Sequence, residues 1–195
     1  FPSIVPGART RAATNDALSP MSAPLPLSGV VIAKNEADRI GRCLASMRPL
    51  CAELLVVDSG SDDDTAAVAR SYGARVEHQA WLGFAAQKNH AISRATQPWL
   101  LLLDADEWLA DGAEESLRAL FDSGRVEQAD VWRLKRVNWF LGTRLHGVER
   151  PERLVRPDHR YLPMLVHERP DLTGKRVRDC EATIEHNTAR SLESH

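Results

Sequence analysis

No apolar run in this chain approaches the roughly 18–20 residues needed to cross a bilayer. The longest, Trp99 to Leu103 with its neighbours, ends abruptly in acid. The N-terminus carries no signal-peptide pattern either, since Arg9 and Arg11 are followed by no continuous apolar stretch. Cysteine is scarce. Cys43, Cys51 and Cys180 are odd in number and share no metal-type or redox-type spacing, so they read as buried or incidental thiols of a reducing compartment. Neither sign of charge dominates: 25 Lys and Arg against 27 Asp and Glu leave a formal net charge of −2. Nothing global therefore favours nucleic acid, and no nucleic-acid partner is expected. Glycine-rich phosphate cradles are missing as well. No G-x-G-x-x-G follows the first apolar run and no G-x-x-x-x-G-K-[ST] occurs, which argues against a dinucleotide oxidoreductase or a P-loop enzyme. The default compartment is the cytoplasm, with peripheral membrane contact left open.

What is present suits one globular domain. The 195 residues are 43% hydrophobic and 27% charged, enough apolar material for one sizeable core. Residues 1–27, rich in Pro, Ala, Ser and Thr without a hydrophobic period, read as a disordered leader or linker, and 28–195 as the domain. Met21 offers a late start inside that leader. Gly29-Val-Val-Ile-Ala33 and Leu54-Leu-Val-Val57 read as buried strands, Arg75–His78 as a short one, and Trp99–Leu103 as the most apolar. Between them, Asn35 is placed to cap a helix bearing Ile40, Leu44 and Met47 on one face. Asp62, Asp63 and Asp64 open a second helix, which Gly73 ends; a third follows Gly83 and Phe84, and a fourth runs from about Gly112 to Phe121. Strand and helix alternating over short links predict a parallel sheet covered on both faces. After Asp130 the pattern changes: Val131–Val137 alternates like a half-exposed strand, and from Asn138 the chain reads as loop-rich, aromatic and basic.

In open α/β sheets ligands sit at the carboxyl ends of the strands. Polar residues cluster at those ends here: Lys34-Asn35-Glu36, Asp58 to Asp64, and Asp104 to Glu107. A carboxylate at Asp58 can accept from a base imide or a ribose hydroxyl, and Gly60 lets the backbone turn close to a ring. Helix capping explains Asp58 and Asp62–Asp64 equally well. Asp104-Ala-Asp106 is the sharper signal. In an extended segment residues two apart point the same way, so both carboxylates can face one hard cation. Such a cation neutralises a leaving diphosphate. A bare D-x-D is weak, but this one directly follows the most apolar strand of the chain.

The blocks VVIAKNEADRIGRCLASM, LLVVDSGSDDDTAAVARSYGARV, GFAAQKNHAI and WLLLLDADEWL, in that order, resemble family 2 glycosyltransferases. The nearest branch is the bacterial one containing lipopolysaccharide-core β-glucosyltransferases. The resemblance runs from about Gly29 to Asn187 and is more specific for fold and reaction than for the sugar. It implies an α/β fold of the glycosyltransferase-A (GT-A) type, a mixed, mostly parallel sheet flanked by helices. Residues 28–110 would be the donor nucleotide-binding half and 111–195 the acceptor-side half. Ala33, Asn35 and Glu36 would line the nucleotide pocket. Asp58 would contact the base, with Ser59, Gly60 and Asp63 near base and ribose. Lys88 and Asn89 would lie by the donor, and Asp104 and Asp106 would hold Mg²⁺ or Mn²⁺ and the sugar diphosphate. Asp64 stands where many relatives have Gly.

In the second half, the block Tyr161–Glu168 resembles one that ends in Val-His-Glu. An inverting transferase needs a base for the acceptor hydroxyl, and Glu168, beside His167, is the candidate. Met164 stands where the family often carries Asp. Glu185-His186-Asn187 resembles a later block whose histidine, His186, would complete the metal site. Trp139 and Phe140 are read as core packing before sugar stacking. Arg133, Lys135, Arg136, Arg144, Arg150, Arg153 and Arg156 would either meet a phosphorylated glycolipid or form a solvated charged face. The implied partners are a nucleotide diphosphate sugar, UDP-glucose first, and a saccharide or glycolipid acceptor, with peripheral contact at the cytoplasmic face of the inner membrane. Relatives usually continue beyond the point where this chain ends. The rival readings are a truncated domain that binds nucleotide without turnover and, more weakly, a sugar nucleotidyltransferase.

Overall fold

The structure is a computed structural model and describes residues 22–163 and 169–188. The first strand, β1 (Leu25–Ala33), begins inside the expected leader because Leu25 and Leu27 are apolar at alternate positions and bury. Helix α1 (Ile40–Met47), strand β2 (Cys51–Asp58), helix α2 (Thr65–Ser71) and strand β3 (Arg75–His78) follow. Next come helix α3 (Phe84–Arg94) and strand β4 (Trp99–Leu102). These pair in parallel: β2 with β3, β1 with β2, and β1 with β4. Continuous apolar runs form such strands because both faces are covered. Along β4, Trp99 and Leu101 enter one core with α1 and α4, whereas Leu100 and Leu102 enter a second core beneath α3.

Asn35 does not cap α1. That helix starts four residues later than the cap would require, and Asn35 instead adopts a left-handed φ of 55° in the preceding loop. Gly29 is fixed by close approach, since a Cβ there would meet Leu54 Cδ2 at 2.8 Å and Met47 Sδ at 3.0 Å.

The second half holds more strand than the sequence suggested. After β5 (Glu107–Leu109) and helix α4 (Ala113–Asp122), a 3₁₀ turn leads into β6 (Val131–Phe140). A short β7 (Thr143–Arg144), β8 (Glu152–Val155), β9 (Tyr161–Leu162), β10 (Arg169–Pro170) and β11 (Val177–Asn187) complete the described chain. Among the described residues nine strands share one sheet, in the order β3-β2-β1-β4-β8-β6-β11-β5 with β7 on β6. Strand β8 runs antiparallel between β4 and β6, so β6 points the same way as β4. Since β11 pairs parallel with β6, its end also reaches the edge where β1, β2 and β4 terminate. The three cysteines are buried and unbridged, as expected.

Most of the basic stretch is matched by acids rather than left as an open cationic face. Arg133 bonds Asp179 at 2.8 Å, Lys135 pairs with Glu181, Arg150 lies 3.7 Å from both acids, and Arg156 pairs with Glu127. Arg136 pairs with Glu149 and Glu107, and Arg153 turns inward; only Arg144 lies on the exposed β7.

Candidate active site

At the shared carboxyl edge, the loop after β1 and the loop after β2 are latched together. The Asn35 N–H donates to Ser61 Oγ at 2.9 Å, Glu36 N–H to Thr65 Oγ1 at 2.8 Å, and Ala37 N–H to Asp63 at 3.1 Å. In return the Asp62 N–H donates to Asn35 Oδ1 at 2.8 Å. Asp58 collects the N–H groups of Gly60 and Ser61, each at 3.1 Å, and the Ser61 hydroxyl. Gly60 makes this turn at φ 87°, where a side chain would be strained. The latch holds both loops open around a cavity of about 700 Å³.

Ala33, Glu36, Ser59, Lys88, Asp104, Asp106 and His186 line that cavity. Asn35, Asp58, Gly60 and Asp63 are held in the adjoining latch by their polar groups. The Asn89 side chain is turned to the backbone of Tyr161. Glu168 and His167 lie outside the described residues. The lining also includes Trp81 and Phe84, which the sequence had not singled out as binding groups and whose rings meet edge to face at 4.8 Å. They are exposed, as are Leu82 and, on the β6–β7 hairpin, Phe140 and Leu141. Phe140 is thus not core, contrary to the packing expectation.

Asp104 and Asp106 both line the cavity but keep different partners. The chain turns between them, closed by the Glu107 N–H to Asp104 O bond at 2.9 Å, so the alternation of an extended segment is lost. Asp104 faces cations: Lys88 Nζ lies 3.1 Å from Oδ1 and Arg153 Nη2 2.8 Å from Oδ2. Burial alone would raise its pKa, but Arg153 and Lys88 outweigh this and hold the carboxyl well below the usual range. Arg153 is itself shared with Glu107, at 2.6 Å. Glu107 is fully buried, receives Arg136 at 3.1 Å, and accepts the Asp104 N–H at 3.1 Å. This network sits beneath the cavity floor. Nothing in sequence spacing announces it, because its partners are 46 positions apart.

Asp106 meets His186 and Arg39 instead. His186 Nε2 is 3.4 Å from its Oδ2 and Arg39 Nη1 3.5 Å, while Arg39 also bonds Glu36 at 2.7 Å. The other imidazole nitrogen, Nδ1, lies 2.9 Å from Asn138 Oδ1. An amide oxygen can only accept, so an Nδ1–H donates to Asn138 in this arrangement and fixes the plane of the ring beside Asp106. Among the described residues no cluster of three His, Cys, Asp or Glu side chains is close enough to hold a metal ion. Asp106 with His186 makes a two-ligand donor set of carboxylate oxygen and oriented imidazole, which suits a divalent cation that takes its remaining ligands from a substrate.

The profile of the family described as "Glycosyl transferase family 2" matches residues 28–186. The chain is 37% identical over 123 residues to a lipopolysaccharide core biosynthesis glycosyltransferase, LpsC, of Rhizobium meliloti, covering 60% of this chain and 44% of that protein. It is 38% identical over 109 residues to an uncharacterized glycosyltransferase of Rickettsia felis, covering 56% of this chain and 38% of that protein. The match therefore spans less than half of either relative's length. Among solved structures, S. aureus TarS 1-349 in complex with UDP-GlcNAc superposes with a TM-score of 0.64 at 16% identity, covering 87% of this chain and 61% of that one. That likeness shows the fold, of the GT-A type. No helix among the described residues is long and apolar enough to cross a membrane.

Proposed function

The chain belongs to glycosyl transferase family 2, and from that premise we propose that the cavity takes a nucleotide diphosphate sugar and passes its hexose to a saccharide or glycolipid hydroxyl. The observation that carries this reading is the convergence, at one cavity, of the Lys88 ammonium with the Asp106–His186 pair. A diphosphate needs both: a fixed positive charge and a place for a hard cation. The base and ribose lie against the latch, where Asp58 Oδ1 still has a lone pair for a base N–H beyond the Ser61 hydroxyl. UDP is the proposed nucleotide and glucose the proposed sugar.

A Mg²⁺ or Mn²⁺ ion at Asp106 and His186 would neutralise charge on the departing diphosphate. The chain's own residues do the rest. Lys88 brings positive charge to the phosphates, and Arg39 holds Glu36 and Asp106 in place across the cavity mouth. The sugar is displaced once, with inversion, and Glu168 takes the proton of the incoming hydroxyl. The exposed Trp81, Leu82 and Phe84 beside the cavity, and the exposed Phe140 and Leu141 of the β6–β7 hairpin, suit an amphiphilic acceptor. The likeness to a lipopolysaccharide core biosynthesis glycosyltransferase supports a core glycolipid in that role, and with it peripheral contact at the membrane face.

The test is saturation-transfer NMR on a panel of UDP-, GDP- and dTDP-glucose with Mg²⁺. Saturation reaching the uridine and glucose protons of UDP-glucose alone is expected. Silence from all three donors on folded protein would refute the reading.

A further inference from the structure

Three consecutive residues of α3 reach four different segments around the site. Gln87, fully buried, donates to Ser59 Oγ at 3.0 Å and to Gln79 O at 3.1 Å, holding the chain after β2 and β3. Lys88 reaches Asp104 after β4. Asn89 makes a two-way bond with the backbone of Tyr161: its Nδ2 donates to Tyr161 O at 2.9 Å, and the Tyr161 N–H donates to Oδ1 at 2.8 Å. The side-chain amide thus does what a neighbouring strand would do. Strand β9 needs it, since it has only two paired residues on β10 and no other strand beside it among the described residues.

The pinned residue returns to the site. The Tyr161 ring is buried, meets His159 edge to face at 5.1 Å, and lies 5.4 Å from Lys88 Nζ. An ammonium over an aromatic face is attracted to it. Lysine otherwise carries its charge on a flexible stem with considerable rotamer entropy. A ring on one side and Asp104 on the other confine that stem before any ligand arrives.

We propose that Asn89 and Tyr161 are positioning residues for Lys88: the amide pins the Tyr161 backbone so that its ring braces the ammonium toward the diphosphate end of the cavity. This rests on the donor-site reading above. Asn89 then acts on phosphate affinity without touching the nucleotide, and its effect depends wholly on the lysine.

The experiment is a double-mutant cycle read by calorimetry with two probes, UDP and uridine, in the same buffer. Asn89→Ala is expected to weaken UDP by about three- to ten-fold, the range of a partly exposed cation–ring contact, while leaving uridine unchanged. In a Lys88→Met background the same substitution should add less than about two-fold. Tyr161→Leu should behave like Asn89→Ala, and Tyr161→Phe, which keeps ring and backbone, should recover most of that loss. Amide exchange of the segment around Tyr161 should quicken in Asn89→Ala and less so in Asn89→Asp, which retains the acceptor for the Tyr161 N–H. Equal losses for UDP and uridine, or losses that add in the double variant, would overturn the inference while leaving the donor site standing. A wild type that binds no UDP would sink the donor-site reading, and this inference with it.

Discussion

Replacing Glu107 by Gln removes one charge from the most buried ionic network among the described residues. Glu107 has no exposed surface and serves Arg153 at 2.6 Å, Arg136 at 3.1 Å and the Asp104 N–H at 3.1 Å. Without its charge, Arg136 keeps Glu149, but Arg153 and Lys88 must share Asp104. Arg153 is the residue that suffers, being only 5% exposed and bonded through Nη2 to Asp104 and Glu107. Breaking a buried pair by removing one partner costs about 3–5 kcal/mol. Because Asp104 remains at 2.8 Å, a loss near the lower end, about 3 kcal/mol, is expected. Urea denaturation at constant m-value measures it. The second arm is Arg153→Met together with Glu107→Gln. Removing both charges should recover at least about half of the loss, because the penalty comes from the uncompensated guanidinium. A single-variant loss below about 1 kcal/mol, the level of a surface pair, would refute the reasoning.

Three other outcomes are expected. His159 is buried, neither ring nitrogen has a hydrogen-bond partner among the described residues, and burial, with Lys175 nearby, lowers its pKa to about 4. The unfolded chain then binds the extra proton first, so stability falls as pH drops from about 6.5 to about 4; His159→Phe should remove up to about 3 kcal/mol of that slope in pH-dependent denaturation, and an unchanged slope would contradict it. Asn138→Leu frees the His186 ring from its orienting bond and should weaken Mn²⁺ binding by about 10–100-fold with little change in uridine affinity, read by calorimetry. Finally, Phe140→Ser with Leu141→Ser should lower cosedimentation with lipopolysaccharide-containing vesicles, while UDP affinity stays at the wild-type value.

The first half of the chain was legible in the sequence because strands buried on both faces write themselves as continuous apolar runs. Leu54–Val57 and Trp99–Leu102 could hardly be anything else. Strand β11 was missed although its signal is present: Cys180, Ala182 and Ile184 bury at alternate positions. Two of the three are small, and the intervening Glu181, Thr183 and Glu185 made the stretch read as polar loop. The basic stretch was visible but its meaning was not. Arg133 lies opposite Asp179 only once β6 and β11 are in register, and register is a tertiary fact. The two acids of the D-x-D motif were visible in the sequence, but the turn at Ala105 between them was not. Arg153, Glu107 and Tyr161 each fell within a stretch the sequence singled out, but the pairings that give them their chemistry join distant segments and have no local mark.

The central claim, a cation-assisted nucleotide diphosphate site, is tested most directly by titrating UDP into the wild type and into Asp106→Ala, each with and without Mn²⁺. Binding that Mn²⁺ strengthens in the wild type, and that loses this gain in the variant, is the predicted result. Mn²⁺ strengthening UDP binding equally in both proteins, or no UDP binding by folded wild type, would contradict the account.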